Sequence, residues 1–224
     1  MASDGNKRNV PIRVARRLPI YYRFLRELME NGVERISSAE LGARIGVTAS
    51  QLRQDLSHFG SFGQQGYGYR VDDLYREISD ILGLHQRYKM VLIGSGNLGR
   101  AIANYEGFRR RGFHVVAAFD ADPDVIGTRV GVLEVQPIDQ LEEYLRRIKI
   151  HIGVLTVPAH GAQKVVDTLV RCGVKGIWSF APVRIQVPSD VAVEHIHLSD
   201  SLLSLAFRMR QAAIQAEEDE FEDA

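Results

Sequence analysis

The sequence predicts a two-domain α/β protein, in which a small helical domain precedes a doubly wound parallel sheet. Three observations support this fold class. Residues 89–103 read KMVLIGSGNLGRAIA, so a short apolar run leads into G-x-G-x-x-G and then into an apolar helical pattern. Strand-like and helix-like stretches alternate after it, as they do in βαβ units. Two short amphipathic helices with a glycine-containing turn between them precede it, at residues 37–59.

The composition is typical of a globular protein in a reducing compartment. A chain of 224 residues can form two modest domains, and 45% hydrophobic with 25% charged residues is ordinary for such domains. No apolar run approaches the roughly 18–20 residues of a membrane span, and no signal peptide is recognisable at the start. The single cysteine, Cys172, excludes an internal disulfide and a cysteine metal cluster. We therefore expect a cytoplasmic protein without a membrane segment.

The formal net charge is zero, but the charges are unevenly distributed. Residues 1–70 contain 11 Lys and Arg against 6 Asp and Glu, whereas residues 217–224 contain six acids and no base. A basic front and an acidic end predict that only the N-terminal part meets a polyanion. The acidic tail is predicted to be disordered, as are the polar residues 1–9.

The first predicted helix lies within residues 10–32. Its apolar residues recur at spacings of three and four, and Gly32 ends it in the manner of a C-terminal cap. The opposite face is basic, which suits contacts with phosphates. These basic residues are Arg13, Arg16, Arg17, Arg23 and Arg26.

A helix-turn-helix follows. Ser37 and Glu40 form a capping-box pattern at the start of a short helix that ends at Gly46, and a second amphipathic helix is predicted over residues 49–59. The polar residues of the second helix that face away from the pair would contact DNA. They are Ser50, Gln51, Arg53, Gln54 and Ser57.

The next stretch, residues 60–71, has a polar tip and aromatic flanks, which predict a hairpin and hence a winged helix. A further helix over residues 72–82 leads to the second domain. Short helix pairs also occur in bundles that bind no DNA, so the pair alone is weak evidence. The basic first helix and the wing favour DNA binding because they add phosphate contacts. The phosphate-contacting residues predicted here are Arg13, Arg16 and Arg17 with Gln64, Gln65 and Tyr67.

The glycine motif predicts a dinucleotide site. The first glycine permits a tight turn, the second lets backbone approach a pyrophosphate, and the third lets the helix pack on the strand. Asp120 ends a second apolar run, 21 residues after Gly99, where an acid binds the ribose 2′-hydroxyl and favours NAD(H) over NADP(H). The alternative is an ordinary βαβ turn with a solvated acid. The motif residues are Gly94, Ser95, Gly96, Asn97, Leu98 and Gly99.

The remaining elements continue the alternation. Helices are predicted at 97–111, 139–148, 161–172 and 199–216, and strands at 113–119, 150–157, 176–180 and 191–195, with a strand or turn at 130–135. Two strand-end loops are apolar and uncharged, which suits a nicotinamide, although such loops also pack only on protein. Their predicted cofactor-binding residues are Thr156, Val157, Pro158, Phe180, Ala181 and Pro182.

Catalytic equipment is missing from the pattern. A dehydrogenase needs a substrate domain and a proton donor near the nicotinamide, whereas His160 has no supporting acid, lysine or tyrosine around it. His151, His195 and His197 do not have the spacing of a metal site. A nucleotide-binding domain joined to a DNA-binding domain indicates a sensor that is neither an enzyme nor a metalloprotein. A small NAD-dependent oxidoreductase and a regulator that binds CoA or another nucleotide remain alternatives.

Residues 11–207 resemble the Rex-type redox-sensing transcriptional repressors. The resemblance rests on RLPIYYRFL (17–25), RISSAELG (35–42), LRQDLSHFGSFGQQGYGY (52–69), VLIGSGNLGRA (91–101), AFD (118–120), LTVPA (155–159), GVKGIWSFAP (173–182) and LAF (205–207). It implies a homodimer whose winged helices bind an inverted-repeat operator. It also implies C-terminal domains that bind NADH or NAD⁺, with NADH releasing the DNA, and a terminal helix exchanged between subunits.

The order of the predicted elements sets the domain boundaries, and the sequence departs from the family pattern at a few positions. We expect a winged-helix domain at 1–84, a Rossmann domain at 85–198, a dimerisation helix at 199–216 and the tail at 217–224. Family members usually have Lys or Arg where this chain has Gln54, and a basic wing tip where it has Gln64 and Gln65, which predicts a shifted operator preference and a shallower salt dependence. Relatives often have Asp at the position of His197. The residues implied in domain coupling are Arg23, Tyr105, His197 and Asp200, and Tyr105 is also assigned to the cofactor site.

Overall fold

The computed structural model describes residues 10–60, 62 and 67–222, with side chains as far as residue 215. The chain divides into two units after Gln86. The predicted disorder at residues 1–9 and the predicted wing contacts of Gln64 and Gln65 fall outside the described residues.

The N-terminal unit is built from four helices around one apolar core. Leu25, Leu41, Leu52 and Ile78 come from four different helices and are completely buried in this core. The helices are α1 (Ile12–Glu30), α2 (Ser38–Ile45), α3 (Ala49–Ser57) and α4 (Val71–Ile81). Their locations agree with the periodicity of the apolar residues, and Gly32 has the left-handed φ of 72° that ends α1.

The ribbon of this unit contains a strand pairing that was not predicted from the sequence. β2 (Tyr69–Arg70) pairs in antiparallel fashion with β1 (Arg35–Ile36), which precedes α2, whereas the tip of the predicted hairpin lies outside the described residues. Ile36 lies opposite Tyr69, and both side chains are buried in the core of the unit. Burial of this cross-strand pair accounts for the choice of partner.

The C-terminal unit contains the predicted doubly wound sheet, with seven strands in the order β5-β6-β4-β3-β7-β8-β9. Every neighbouring pair is parallel except β5 and β6, which form an antiparallel hairpin at one edge within the region predicted as a strand or turn. The central strand is buried on both faces, as expected of a sheet covered by helices on both sides. The strands are β3 (Tyr88–Ile93), β4 (Phe113–Asp120), β5 (Arg129–Val130), β6 (Leu133–Pro137), β7 (Ile152–Leu155), β8 (Gly176–Ser179) and β9 (Ala192–His195).

The helix predicted over residues 97–111 is two helices. Tyr105 has an extended backbone between α5 (Asn97–Asn104) and α6 (Glu106–Arg109). Its ring packs edge-on against Phe108 and occupies the space that a Cβ at Gly107 would need. The break therefore comes from this local packing and from a glycine that weakens the helix.

Three further helices belong to this unit, and the last of them ends the chain. These are α7 (Leu141–Arg147), α8 (Ala159–Arg171) and α9 (Leu198–Glu222). Helix α9 extends past the predicted end at residue 216 into the part predicted as a disordered tail. Its described side chains are all exposed, including Leu202, Leu203 and Phe207. No helix within the described residues is both long enough and apolar enough to cross a membrane.

Candidate functional site

The glycine-rich loop lies between β3 and α5, at the carboxyl end of the central strand. Gly94 has a φ of 93°, and a Cβ there would lie 2.6 Å from the carbonyl oxygen of Thr156. A Cβ at Gly99 would collide with the carbonyl oxygen of Gly94. The strand neighbouring β3 on this side is β7, so the loop lies where the strand order reverses, which is the usual ligand position in such sheets.

The middle glycine differs from the other two, because neither the backbone conformation nor the packing of the protein requires a glycine there. Gly96 has an ordinary φ of −68°, and no heavy atom lies within 4 Å of the position that its Cβ would occupy. The following helix, α5, has no side-chain cap, so its first amide groups are free to bind an anion. Open space beside an uncapped helix start fits a pyrophosphate.

Asp120 ends β4 beside this loop. Its Oδ2 accepts a hydrogen bond from the Ser95 backbone N–H at 2.5 Å, and its Oδ1 accepts one from the Asp122 N–H at 3.0 Å. A carboxylate has about four acceptor positions, so roughly two remain for ribose hydroxyls. The Ser95 hydroxyl is buried with no hydrogen-bond partner in the described part of the chain, which leaves a polar atom at the loop to be satisfied.

Thr156 braces the loop. Its hydroxyl lies 2.6 Å from the Gly94 carbonyl oxygen and 3.1 Å from that of Ile93. Thr156 was predicted to bind the cofactor, but its hydroxyl is hydrogen-bonded to backbone carbonyl oxygens of the protein. The other predicted loop residues follow the adjacent strands β7 and β8, where Val157 and Phe180 are half-buried and Ala181 is buried. Pro158 and Pro182 are exposed in the same loops.

Arg100 lies at the candidate site and was not predicted from the sequence. Its guanidinium donates to the Ser95 carbonyl at 3.0 Å, the Arg129 carbonyl at 3.1 Å and the Thr128 hydroxyl at 2.9 Å. It therefore ties the glycine-rich loop to the chain around β5. A single arginine directly after the third glycine was the only signal in the sequence.

Helix α3 presents the predicted reading face. Its start is capped by Thr48, whose hydroxyl accepts from the Gln51 backbone N–H at 3.1 Å. Four of its predicted contact residues are exposed, and Gln51 is half-buried. Arg53 donates to the Ser38 hydroxyl at 2.7 Å and so links α3 to α2. The exposed residues are Ser50, Arg53, Gln54 and Ser57.

The basic face of α1 is divided. Arg13 and Arg16 are exposed, and so is Tyr67 near the ribbon. Arg17 is engaged by Asp55 of α3, with Nε 2.5 Å from Oδ2 and Nη2 2.8 Å from Oδ1. Two of the five guanidinium N–H groups are thus committed to the protein.

Asp55 was not predicted from the sequence, and it is completely buried. The Tyr21 hydroxyl donates to its Oδ2 at 2.5 Å, and the Gln51 amide donates to its Oδ1 at 2.8 Å. Burial pushes the pKa of Asp55 upward, but the hydrogen bonds from Arg17, Tyr21 and Gln51 outweigh burial and hold the pKa below its ordinary value. Burial, followed by the hydrogen bond to Asp55, raises the pKa of Tyr21. Asp55 is therefore a buried anion at neutral pH.

The residues implied in domain coupling are exposed. Arg23 lies over the Phe24 ring, Tyr105 is 55% exposed, and His197 stacks on His195 with ring centroids 6.2 Å apart. Within the described residues of the C-terminal unit, no hydrogen bond or ring contact joins Tyr105 to His197 or Asp200. In the same residues, no group of three His, Cys, Asp or Glu side chains could hold a metal.

Known families match both units. Residues 85–183 match the family model described as "CoA binding domain", and residues 9–57 match "Putative DNA-binding protein N-terminus". The redox-sensing transcriptional repressor Rex of Clostridium novyi (strain NT) is 54% identical over 201 residues, which cover 90% of this chain and 96% of that protein. The repressor of the same name from Clostridium botulinum (strain Alaska E43 / Type E3) is 52% identical over 208 residues, or 93% of this chain and 99% of that protein.

Solved structures match over the same extent. The structure of RSP in complex with β-NAD⁺ and operator DNA has a TM-score of 0.86 and 47% identity, and covers 94% of this chain and 97% of that chain. The structure of RSP in complex with β-NADH has a TM-score of 0.87 and 44% identity, and covers 94% and 99%. A third RSP structure, described as a Rex-family repressor, has a TM-score of 0.87 and 45% identity, and covers 94% and 98%.

Proposed function

The chain belongs to the Rex family of redox-sensing transcriptional repressors, and we propose that it binds its operator through α3 and senses NADH and NAD⁺ at the glycine-rich loop. It is a regulator, and we propose that it has no catalytic activity of its own. One observation carries the nucleotide half of the proposal, namely the open space at Gly96 beside an uncapped helix start.

In the proposed complex, the adenosine half of the ligand is held by the loop and by Asp120. The free amides at the start of α5 bind the pyrophosphate, and the remaining acceptor positions of Asp120 bind ribose hydroxyls. Both oxidation states share this half of the molecule. The loop therefore supplies affinity and cannot distinguish NADH from NAD⁺.

Discrimination is assigned to the loops after β7 and β8. Residues 156–159 and 180–182 are uncharged, and Val157, Phe180 and Ala181 are half-buried or buried. The oxidised nicotinamide is a cation and the reduced ring is neutral, so an uncharged site penalises the oxidised form through desolvation. NADH is therefore the preferred ligand. A useful switch needs a coupling free energy of roughly 1–3 kcal/mol between nucleotide and DNA binding.

The DNA half requires two copies of α3. A homodimer has twofold symmetry, which matches the symmetry of an inverted-repeat operator. The proposed location of the protein is the cytoplasm. The exposed apolar side chains of α9 supply the proposed dimer surface. Coupling between the sites is assigned to Arg23, Tyr105 and either His197 or Asp200. With NADH bound, we propose that the two reading helices are misplaced for successive major grooves.

The proposal is tested by fluorescence anisotropy of a labelled inverted-repeat duplex. The full-length protein is bound to the duplex and titrated separately with NADH, NAD⁺ and CoA. We expect NADH to release the DNA at concentrations where NAD⁺ does little, because only the oxidised ring pays the desolvation penalty. A duplex of scrambled sequence is the control.

Each other outcome contradicts a different part of the proposal. Release by CoA instead of NADH would favour the CoA-binding interpretation, to which the match over residues 85–183 also points. Tight binding that ignores all three compounds would leave a transcription factor with another effector. No affinity for any candidate duplex, together with turnover of NADH by a substrate, would favour an oxidoreductase.

Gln54 is exposed on α3 and uncharged, so it adds nothing to the dependence of DNA affinity on salt concentration. In Gln54→Lys, we expect a steeper decrease of log K with log salt, because each added phosphate contact changes the slope by about 0.9 and a dimer has two such lysines. The measurement is DNA affinity over a range of salt concentrations. Gln140→Lys, an exposed change in the C-terminal unit, is the control for charge. Equal slopes and identical preferred sites in Gln54→Lys and the unmodified protein would contradict the assignment.

A further inference from the structure

Asp55 accepts hydrogen bonds from both Arg17 and Gln51, two of the residues proposed to contact DNA. It lies on α3 one turn after Gln51, and its side chain has 0% exposure. Burying a carboxylate is costly unless it is paired and hydrogen-bonded. The cost is met here by α1, which contributes Arg17 and Tyr21.

The hydrogen bonds of this carboxylate are complete. Oδ2 accepts from Arg17 Nε and from the Tyr21 hydroxyl, each at 2.5 Å, and Oδ1 accepts from Arg17 Nη2 and from Gln51 Nε2, each at 2.8 Å. A carboxylate has about four acceptor positions, so all of them are used. Arg17 and Tyr21 of α1 therefore hold the carboxylate in place independently of Gln51.

This arrangement fixes which way the Gln51 amide is turned. An ionised carboxylate only accepts hydrogen bonds, so the amide nitrogen of Gln51 must face Asp55. The amide oxygen and the second N–H of Gln51 have no partner in the described part of the chain. A side-chain amide that presents one acceptor and one donor in a set orientation can read a base edge such as that of adenine.

We propose that Asp55 is a positioning residue that orients the Gln51 amide and thereby sets the base preference at the operator position that Gln51 faces. The inference rests on the proposed function, because it assumes that α3 reads DNA. Arg17 contributes through the same carboxylate, and its side chain remains 23% exposed with N–H groups left for a phosphate.

The test uses Asp55→Asn in the full-length protein without nucleotide. An asparagine amide can donate as well as accept, so the Gln51 amide can turn over. Anisotropy is measured against duplexes in which each operator base pair is changed in turn. We expect discrimination to fall by about tenfold at one position in each half-site, the same position at which Gln51→Ala loses it. At that position, Asp55→Asn combined with Gln51→Ala should equal Gln51→Ala alone.

Two matched variants separate orientation from stability. Asp80→Asn makes the same substitution in the same unit at an exposed side chain that pairs with His85, and it should preserve the whole pattern of discrimination. Tyr21→Phe removes a different donor from Asp55 and should lower the melting temperature without flattening one position. Equal weakening at all positions in Asp55→Asn, or unchanged discrimination, would overturn the inference. If the unmodified protein binds no operator, the proposed function itself fails.

A second measurement applies if Asp55→Asn does not fold. In the unmodified protein, the side-chain amide protons of Gln51 are identified in an NMR spectrum by their loss in Gln51→Met. We expect one proton to exchange slowly with solvent and both to shift when acid protonates Asp55. Fast exchange and no acid-induced shift would mean that the amide is free, and the inference would be wrong.

Discussion

Gly96→Val is expected to lower NADH affinity by at least about 100-fold, or roughly 2.7 kcal/mol, without unfolding the nucleotide-binding domain. The protein itself tolerates a side chain at this position, since φ is −68° and nothing lies within 4 Å of the Cβ position. The valine would instead occupy the space proposed for the pyrophosphate. Loss of binding would therefore report a collision with ligand.

The measurement is NADH binding by calorimetry, with the melting temperature recorded in parallel. Gly161→Val is the matched control, because Gly161 lies in the first turn of α8 and also has nothing within 4 Å of its Cβ position. The control should bind NADH normally. DNA binding by Gly96→Val should persist and no longer respond to NADH. Normal NADH affinity in Gly96→Val would place the nucleotide elsewhere.

The second large effect is expected from α9. Leu203 and Phe207 are 67% and 63% exposed and lie four residues apart on one helix face. Single exposed apolar residues are normal, but a continuous set on one helix marks an interaction surface. Replacing both residues with glutamate should convert the proposed dimer to monomers. Affinity for an inverted repeat should then fall by at least about 100-fold, because a monomer contacts only one half-site.

Sedimentation measures the change in mass, and anisotropy measures the change in DNA affinity. Ala212→Glu is the matched control, because it adds a negative charge at an exposed position on the opposite face of the same helix. We expect this control to remain dimeric at micromolar concentrations. A dimer that survives the double substitution would assign the association to another surface.

The parts of the fold that were predictable depend on local chemistry. Ser37 and Glu40 make both hydrogen bonds of a capping box, as their spacing indicates. The break at Tyr105 was not predicted, because the apolar spacing continues across it and the sequence does not show that the Tyr105 ring turns to pack on Phe108. The partner of β2 was also missed, since Arg35–Ile36 is too short to show a periodic pattern.

In the candidate site too, some residues could be predicted from the sequence and others could not. The three glycines and Asp120 follow a recognisable sequence spacing, and the structure brings Asp120 beside the glycine-rich loop, as that spacing predicts. Asp55 was not, because one acid in an amphipathic helix has the same pattern whether it is solvated or buried. Thr156 was assigned to the ligand from its place after β7, whereas its hydroxyl lies on the Gly94 carbonyl. Only tertiary contacts distinguish these cases.

The bracing of the glycine-rich loop has a consequence for how quickly the protein responds. The backbone of the loop is held by hydrogen bonds to Arg100, Thr156 and Asp120, none of which needs a nucleotide. A preformed loop loses little conformational entropy on binding, and association needs no slow rearrangement of that segment. We therefore expect nucleotide to associate rapidly at this end of the pocket, with no slow conformational step to delay the response when the ratio of the two dinucleotides changes.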